Sequence, residues 1–296
     1  MSKMRGSETL ALSMTGEGLQ TLSRGPSLPW GLSLVLTLLA WTIGSGGGQS
    51  SSAPPGKSGG FPFAWASFST ELRPEQRNRN HNVALVAKSL DGRRIKPGEL
   101  LSFNSTVGPR TAARGYLRAK ELVAGEEAPG VGGGTCQVSS TLYNTALLAG
   151  LAIVERWPHS QVVPYVPAGR DATVTDGGRD LKFKNTSGEE LLLRAGVEGA
   201  RLVIGLYGRR APMKQVYITT EVVELLEPRM ILGPSPGAAV AAGGTGRGGL
   251  APERHIRPGR TGRRVLVWRV STDPSGLSER ELIGESVYPA GATVVH

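Results

Sequence analysis

Apolar residues recur at helical spacing in two stretches of the chain. From about Arg77, Val83, Val86, Ala87 and Leu90 fall on one face of a predicted helix. From 135 onward, Val138, Leu142, Ala146 and Ala149 repeat the pattern, with Tyr143 and Leu147 beside them. Thr135 is placed to cap this second helix and Gly150 to stop it. Between the two, "DGRRIKPGELLSFNSTVG" reads as turn, strand, turn, strand, punctuated by Asp91-Gly92 and Pro97-Gly98. "LRAKELVAGEE" predicts a further strand that ends in a polar loop leading into a run of glycines. Val216 to Leu225 alternates as a long strand does, and "RVLVWRV" and "RELIGESVY" form a hairpin across Asp273-Pro274-Ser275-Gly276. The predicted class is α+β: a mixed domain with a cysteine-bearing helix packed on a β-sheet, followed by a hairpin-rich C-terminal extension.

A different pattern precedes the folded part. "PWGLSLVLTLLAWTIG", Pro29 to Gly44, carries no charge, with Trp30 and Trp41 near its ends. Its apolar stretch of roughly 15 residues is shorter than the ~20 that cross a bilayer untilted and resembles a signal-peptide core. Lys3, Arg5 and Arg24 lie before it and only Lys57 in the linker after it, a bias that places the bulk of the chain outside. The expected layout is a cytoplasmic segment 1–28, a membrane anchor or signal-like segment 29–46 and a linker 47–60. A main domain over 61–227 follows, then a Gly/Pro-rich linker 228–260 and a β-hairpin extension 261–296. The expected location is the cell membrane, with a single pass and the main domain extracellular.

Composition sharpens this picture. Among 296 residues, 34 Lys and Arg against 24 Asp and Glu give a net charge of +10, which favours an anionic partner. The chain has no basic-aromatic signature of nucleic-acid binding, and an exported basic protein meets wall polymers and anionic lipid first. Arg254, Arg257, Arg260, Arg263, Arg264 and Arg269 concentrate charge near the C-terminus, as a solvated face or as a contact for an anionic wall polymer.

Cys136 is the only cysteine, so no internal disulfide exists. It stands in "GVGGGTCQVSSTLYNTALLAG", in the first turn of the predicted helix, where backbone N–H groups and the helix dipole favour a thiolate. Gly132, Gly133 and Gly134 allow a substrate to approach the backbone, and their N–H groups can face an oxyanion. His159 follows in "WPHSQVVPYVP", a segment of strand character, and Asp171 and Asp180 follow in "GRDATVTDGGRDLKFKN". This order reads as Cys136 the nucleophile, His159 the base, and an Asp or Gln137 in support. Two alternatives stand beside it. Cys136 as a buried structural thiol is one; a metal site of His81, Cys136, His159 and an Asp is the other, without any known ligand spacing. The sequence calls for no cofactor.

"GELLSFNSTVGPRTAARGY", "GVGGGTCQVSSTLYNTALLAGLAIVERWPHS", "YVPAGRDATV" and "DLKFKN", in this order, closely resemble the VanW family from about Phe68 to Tyr207. The family's Gly-Gly-Gly-x-Cys-Gln block falls on Gly132 to Gln137, its His on His159 and its Asp-Ala-Thr-Val on Asp171 to Val174. The usual "RHxHS" reads "RWPHS" here, so His159 is the one histidine in that block. The resemblance implies a bacterial envelope protein, named for an accessory gene in vancomycin-resistance clusters and often membrane-anchored. The C-terminal strands resemble a G5-like module, an element associated with wall or sugar. Two functions are expected from these readings: thiol chemistry on peptidoglycan peptides, or non-catalytic wall binding that scaffolds envelope machinery.

Overall fold

The computed structural model describes residues 59–123, 126–232 and 256–295. The apolar run 29–44 lies outside them, as do 233–255 with Arg254. Among the described residues, no helix is long and apolar enough to cross a membrane.

Strand β1 (Phe63–Glu71) leads into helix α1 (Arg77–Leu90), which buries Val83, Val86, Ala87 and Leu90 as its spacing requires. It also buries Asn82, whose amide donates to the carbonyls of Leu117 (2.9 Å) and Gly133 (3.0 Å) and accepts from Leu117 N–H. Short strands β2 (Arg94–Ile95) and β3 (Leu100–Ser102) follow, then a one-turn helix α2 (Phe103–Val107). Strands β4 (Arg118–Val123) and β5 (Glu126–Val131) pair antiparallel, so the stretch expected as a polar loop before the glycines is a strand.

Helix α3 (Thr135–Leu148) begins directly after the glycines and buries 12 of its 14 residues. Gly134 holds its N-cap at φ 111, and Thr135 does not cap. The Thr135 hydroxyl instead donates to Gly132 O at 2.7 Å from inside the first turn. At the other end the helix stops before Gly150, whose φ of 72 is left-handed. Strand β6 (Ala152–Glu155), an irregular stretch from 156 to 181, and β7 (Lys182–Lys184) come next, then the hairpin β8 (Leu191–Glu198) and β9 (Arg201–Gly208).

The main sheet has the order β1-β9-β8-β2, all antiparallel, and β3-β7-β6 forms a smaller one. α3 lies against the first sheet through apolar and polar contacts. Thr141 Oγ1 meets Thr70 Oγ1 at 3.0 Å, and the Thr145 hydroxyl donates to Ile204 O at 3.2 Å. The principal core packs Val138, Leu142, Ala146 and Leu147 of α3 with α1 residues and with Leu202, Ile204 and Leu206 of β9.

Among the described residues, every element of the C-terminal part is a strand. β10 (Gln215–Leu226) pairs with β13 (Gly262–Thr272), which pairs with β14 (Ser278–Tyr288) across the expected Asp273–Gly276 turn. Two short strands, β11 (Met230–Leu232) and β12 (Ile256–Arg257), flank 233–255 and pair with β15 (Thr293–Val295). Part of the expected linker 228–260 is therefore strand. Charge at this end is largely balanced where the side chains are described. Arg264 is paired with Glu224 (2.8 Å) and Glu285, and Arg269 with Glu281 (2.7 Å).

Candidate functional site

The start of α3 is set by crowding. A Cβ at Gly133 would lie 2.7 Å from Lys120 O and 2.8 Å from Ala119 O, both in the β4 backbone. Gly132 and Gly134 hold positive φ, which disfavours any side chain. These glycines are thus required to lay the loop on β4 and turn it into the helix, which puts Cys136 in the first turn.

The polar residues of α3 then position what faces the cysteine. Ser139 donates to Ala172 O (2.6 Å), and Ala172 N–H donates to Ser140 Oγ (2.8 Å). Asn144 donates to Arg170 O (2.7 Å) and accepts from Arg170 Nε (2.5 Å). Residues 170–172 are stitched along the helix by these bonds, and Asp171 sits in the middle of the stitched segment. The segment around His159 is irregular rather than a strand, since Pro158 and Pro164 interrupt it. It is held by Thr173 N–H on Trp157 O (2.7 Å) and by Asp171 itself.

Asp171 is almost fully buried and accepts four hydrogen bonds. Its Oδ2 takes the backbone N–H of His159 (2.7 Å) and His159 Nδ1 (2.6 Å). Its Oδ1 takes Arg156 Nη2 (2.9 Å) and the Tyr288 hydroxyl. Burial pushes its pKa up, but the His159 hydrogen bond and the Arg156 charge outweigh this, and the carboxyl is held below its usual range. Arg156 is itself fixed, with Nε on Asp171 O (2.6 Å), Nη2 on Gly169 O (3.0 Å) and Nη1 on Ser286 Oγ (2.6 Å).

With Nδ1 of His159 held by Asp171, Nε2 is the ring nitrogen left for Cys136. Burial lowers the imidazole pKa, but Asp171 and then Cys136 raise it to about 9. For Cys136 burial raises the pKa, and hydrogen bonding to His159, the His159 charge and lesser effects of Val174 and Arg110 bring it below the ordinary thiol value. The thiol also lies 3.6 Å from the Val174 carbonyl, within reach of an S–H···O contact. The two shifts together favour a thiolate–imidazolium pair. Dense protein surrounds this thiol, yet the residue keeps solvent-accessible surface.

The other candidates are engaged elsewhere. Asp180 accepts from the Ser102 hydroxyl (2.6 Å), Asn104 N–H (2.9 Å) and Leu181 N–H (2.8 Å), so it fixes the start of α2. Gln137 donates to Thr70 Oγ1 (3.0 Å) and Glu71 O (2.8 Å) and accepts from Arg79 (2.9 Å), which ties α3 to the end of β1. The sequence reading had Asp171 or Asp180 orienting the histidine and Gln137 in support or at the substrate; of these, the fold places Asp171 against His159 and ties Asp180 and Gln137 to other elements. His81 lies against Gly115 O (3.0 Å), and among the described residues no cluster of three or more ligating side chains is placed to hold a metal.

Residues 78–207 match the family described as "VanW like protein". Over 140 residues the chain is 47% identical to "Uncharacterized protein YoaR" of Bacillus subtilis (strain 168), covering 47% of this chain and 46% of that protein. Residues 78–207 are thus similar to the VanW-like family. Over 117 residues the chain is 36% identical to "Vancomycin B-type resistance protein VanW" of Enterococcus faecalis (strain ATCC 700802 / V583), covering 37% of this chain and 42% of that protein. The chain thus spans less than half the length of these two relatives, and no solved structure matches it. Cys136, His159 and Asp171 all lie within the matched segment, and so does Arg156. Arg156 was missed as a site residue although it opens the quoted "RWPHS", because a basic residue beside a tryptophan carries no chemical signature of its own. The buried hydroxyls of α3 had a signal: polar residues all round a helix whose spacing is that of a core element.

Proposed function

We propose that the VanW-like domain catalyses acyl transfer on peptidoglycan peptides, with Cys136 as nucleophile, His159 as acid and base, and Asp171 as the group that orients the imidazole. One observation carries this reading. A cysteine in the first turn of a buried helix, a histidine acting on it, and a buried carboxylate 2.6 Å from the far ring nitrogen form a connected Cys–His–Asp series. The thiolate attacks the carbonyl carbon of an amide and a C–S bond forms. The carbonyl electrons move to oxygen, and N–H groups at the start of α3 stabilise that charge. Collapse expels the amine, which takes its proton from the His159 imidazolium, and leaves a thioester. Water or an acceptor amine then attacks; His159 Nε2 takes its proton and Cys136 leaves as thiolate.

The substrate class is supported by the printed name of the Enterococcus relative, a resistance protein against an antibiotic that acts at the wall, and by the +10 charge of this chain. The apolar segment 29–46 would hold the domain at the outer face of the membrane.

The test is to incubate the full chain with purified stem peptides and follow intact mass and released products. A thioester at Cys136 and new amide products are expected, both lost in Cys136→Ser. His159→Ala should slow turnover by about 10²–10⁴-fold. Binding of the peptides without turnover, equal in wild type and Cys136→Ser, would overturn the reading in favour of a wall-binding scaffold.

A further inference from the structure

Tyr288 is at the end of β14, beyond the matched segment 78–207, yet it is only 2% exposed and its hydroxyl donates to Asp171 Oδ1. The Tyr288 hydroxyl oxygen accepts from Gly169 N–H at 2.6 Å, so the phenol is fixed on both sides. Two residues earlier, Ser286 is 1% exposed and accepts from Arg156 Nη1 at 2.6 Å, the arginine that shares Asp171 Oδ1. From β13, Arg269 donates to Leu151 O at 2.7 Å, at the end of α3. The hairpin thus reaches the Asp171–Arg156 side of the site through the polar side chains of Tyr288 and Ser286, and Arg269 ties it to the chain just past α3.

We propose that Tyr288 is a positioning residue of the Cys136–His159–Asp171 site, and that the β13–β14 hairpin belongs to that site. The proposal rests on the catalytic reading for its purpose. Its physical content concerns the Asp171–His159 pair alone. A buried carboxylate resists ionisation unless donors reach both oxygens. Oδ2 is supplied from within the matched segment, and Oδ1 is supplied half by Arg156 and half by the hairpin. Without the phenol hydroxyl, Oδ1 keeps Arg156 alone, and the carboxylate loses one of the two groups that fix its plane against the imidazole. The imidazolium then faces a less well aligned carboxylate, and the imidazole becomes less basic. The other groups around the pair are Cys136 and Tyr143 on α3, Arg156 after β6, and Tyr165 in the loop beyond His159; Tyr288→Phe leaves all four in place.

The ring titration of His159 in the full chain, followed by NMR and assigned by its loss in His159→Gln, tests this directly. Tyr288→Phe should lower the midpoint by about half a pH unit, about threefold in proton affinity. Asp171→Asn should lower it further, and Tyr288→Phe added to Asp171→Asn should change nothing more, because the hydroxyl acts through the carboxylate. A Tyr288→Phe titration that coincides with wild type overturns the proposal, as does an equal shift in the Asp171→Asn background. Should Tyr288→Phe fail to fold, Ser286→Ala reads the same connection by loosening Arg156, with a smaller fall expected and an unchanged midpoint overturning it. The titration needs no turnover, so a protein inert towards stem peptides with the coupling intact would sink the catalytic reading alone.

Discussion

Removing the His159 ring while keeping the thiol separates the two forces on Cys136. Burial, the largest of them, pushes the pKa up, and His159 supplies the leading opposition through its hydrogen bond and its charge. In His159→Ala, Arg110 and the backbone at Val174 remain, and neither is the main lowering influence. A contacting opposite charge shifts a pKa by about 1–3 units, so the midpoint should rise by about that much. One unit is about 1.4 kcal/mol and tenfold in thiolate at neutral pH. Iodoacetamide alkylation in the folded protein, followed by mass spectrometry from pH 5 to 10, reads this as a displaced rate profile. Wild type should show its midpoint below that of a free thiol and His159→Ala well above the wild-type value. Alanine leaves a space beside the sulfur, so access should increase, and a slower reaction at neutral pH cannot then come from steric hindrance. Superimposable profiles would refute the ion-pair argument, and a wild-type thiol that reacts only after unfolding would show it to be structural.

Three further outcomes follow from the same geometry. Arg156→Met removes one partner of a buried ion pair whose side chains are 8% and 1% exposed, and should cost about 3–5 kcal/mol in urea denaturation. Gly133→Ala drives a Cβ into two β4 carbonyls that cannot swing aside and should cost about 1–3 kcal/mol, read as a lowered Tm. Stability should also depend on pH with a definite sign. The His159 contribution, whose folded pKa is raised from 6.5 to about 9, is fully present below 6.5 and is lost as pH rises through about 9. Cys136→Ser removes both the opposite linkage of the thiol and its share of the His159 shift, so there the urea midpoint should fall from pH 6 to pH 10 by the smaller contribution that Asp171 sustains. The depressed carboxyl of Asp171 contributes above its unfolded value of 3.8 and is lost as pH falls through its lower folded one.

Both long helices were legible because their apolar spacing is strong and the turns around them are marked by glycine. Cys136 and His159 could be singled out for similar reasons: each stands in a local block with few rivals of its chemistry. The choice between Asp171 and Asp180 was not legible. Both follow an arginine in one polar stretch, and both are buried in the fold. They differ in what the chain brings to them from a distance, the α2 start for Asp180 and α3, Arg156 and the hairpin for Asp171. Gln137 misled in the same way, since adjacency to Cys136 on a helix turns its side chain about 100° away, towards β1. Tyr288 carried no local signal at all, because its role exists only once β14 has folded back across the chain.

The composition of α3 shows how such a site can be rigid without strain. Ser139, Ser140, Thr141, Asn144 and Thr145 are all buried, a choice that helix propensity and apolar packing both disfavour. Each makes a hydrogen bond, so the cost of desolvation is offset rather than left standing. Apolar residues there would pack as well and leave residues 170–172 free to slide along the helix. Hydroxyls and an amide instead fix that segment in one register, and register decides whether the Asp171 carboxylate meets His159 or misses it. The helix thus gives up local preference where the placement of one buried charge depends on it.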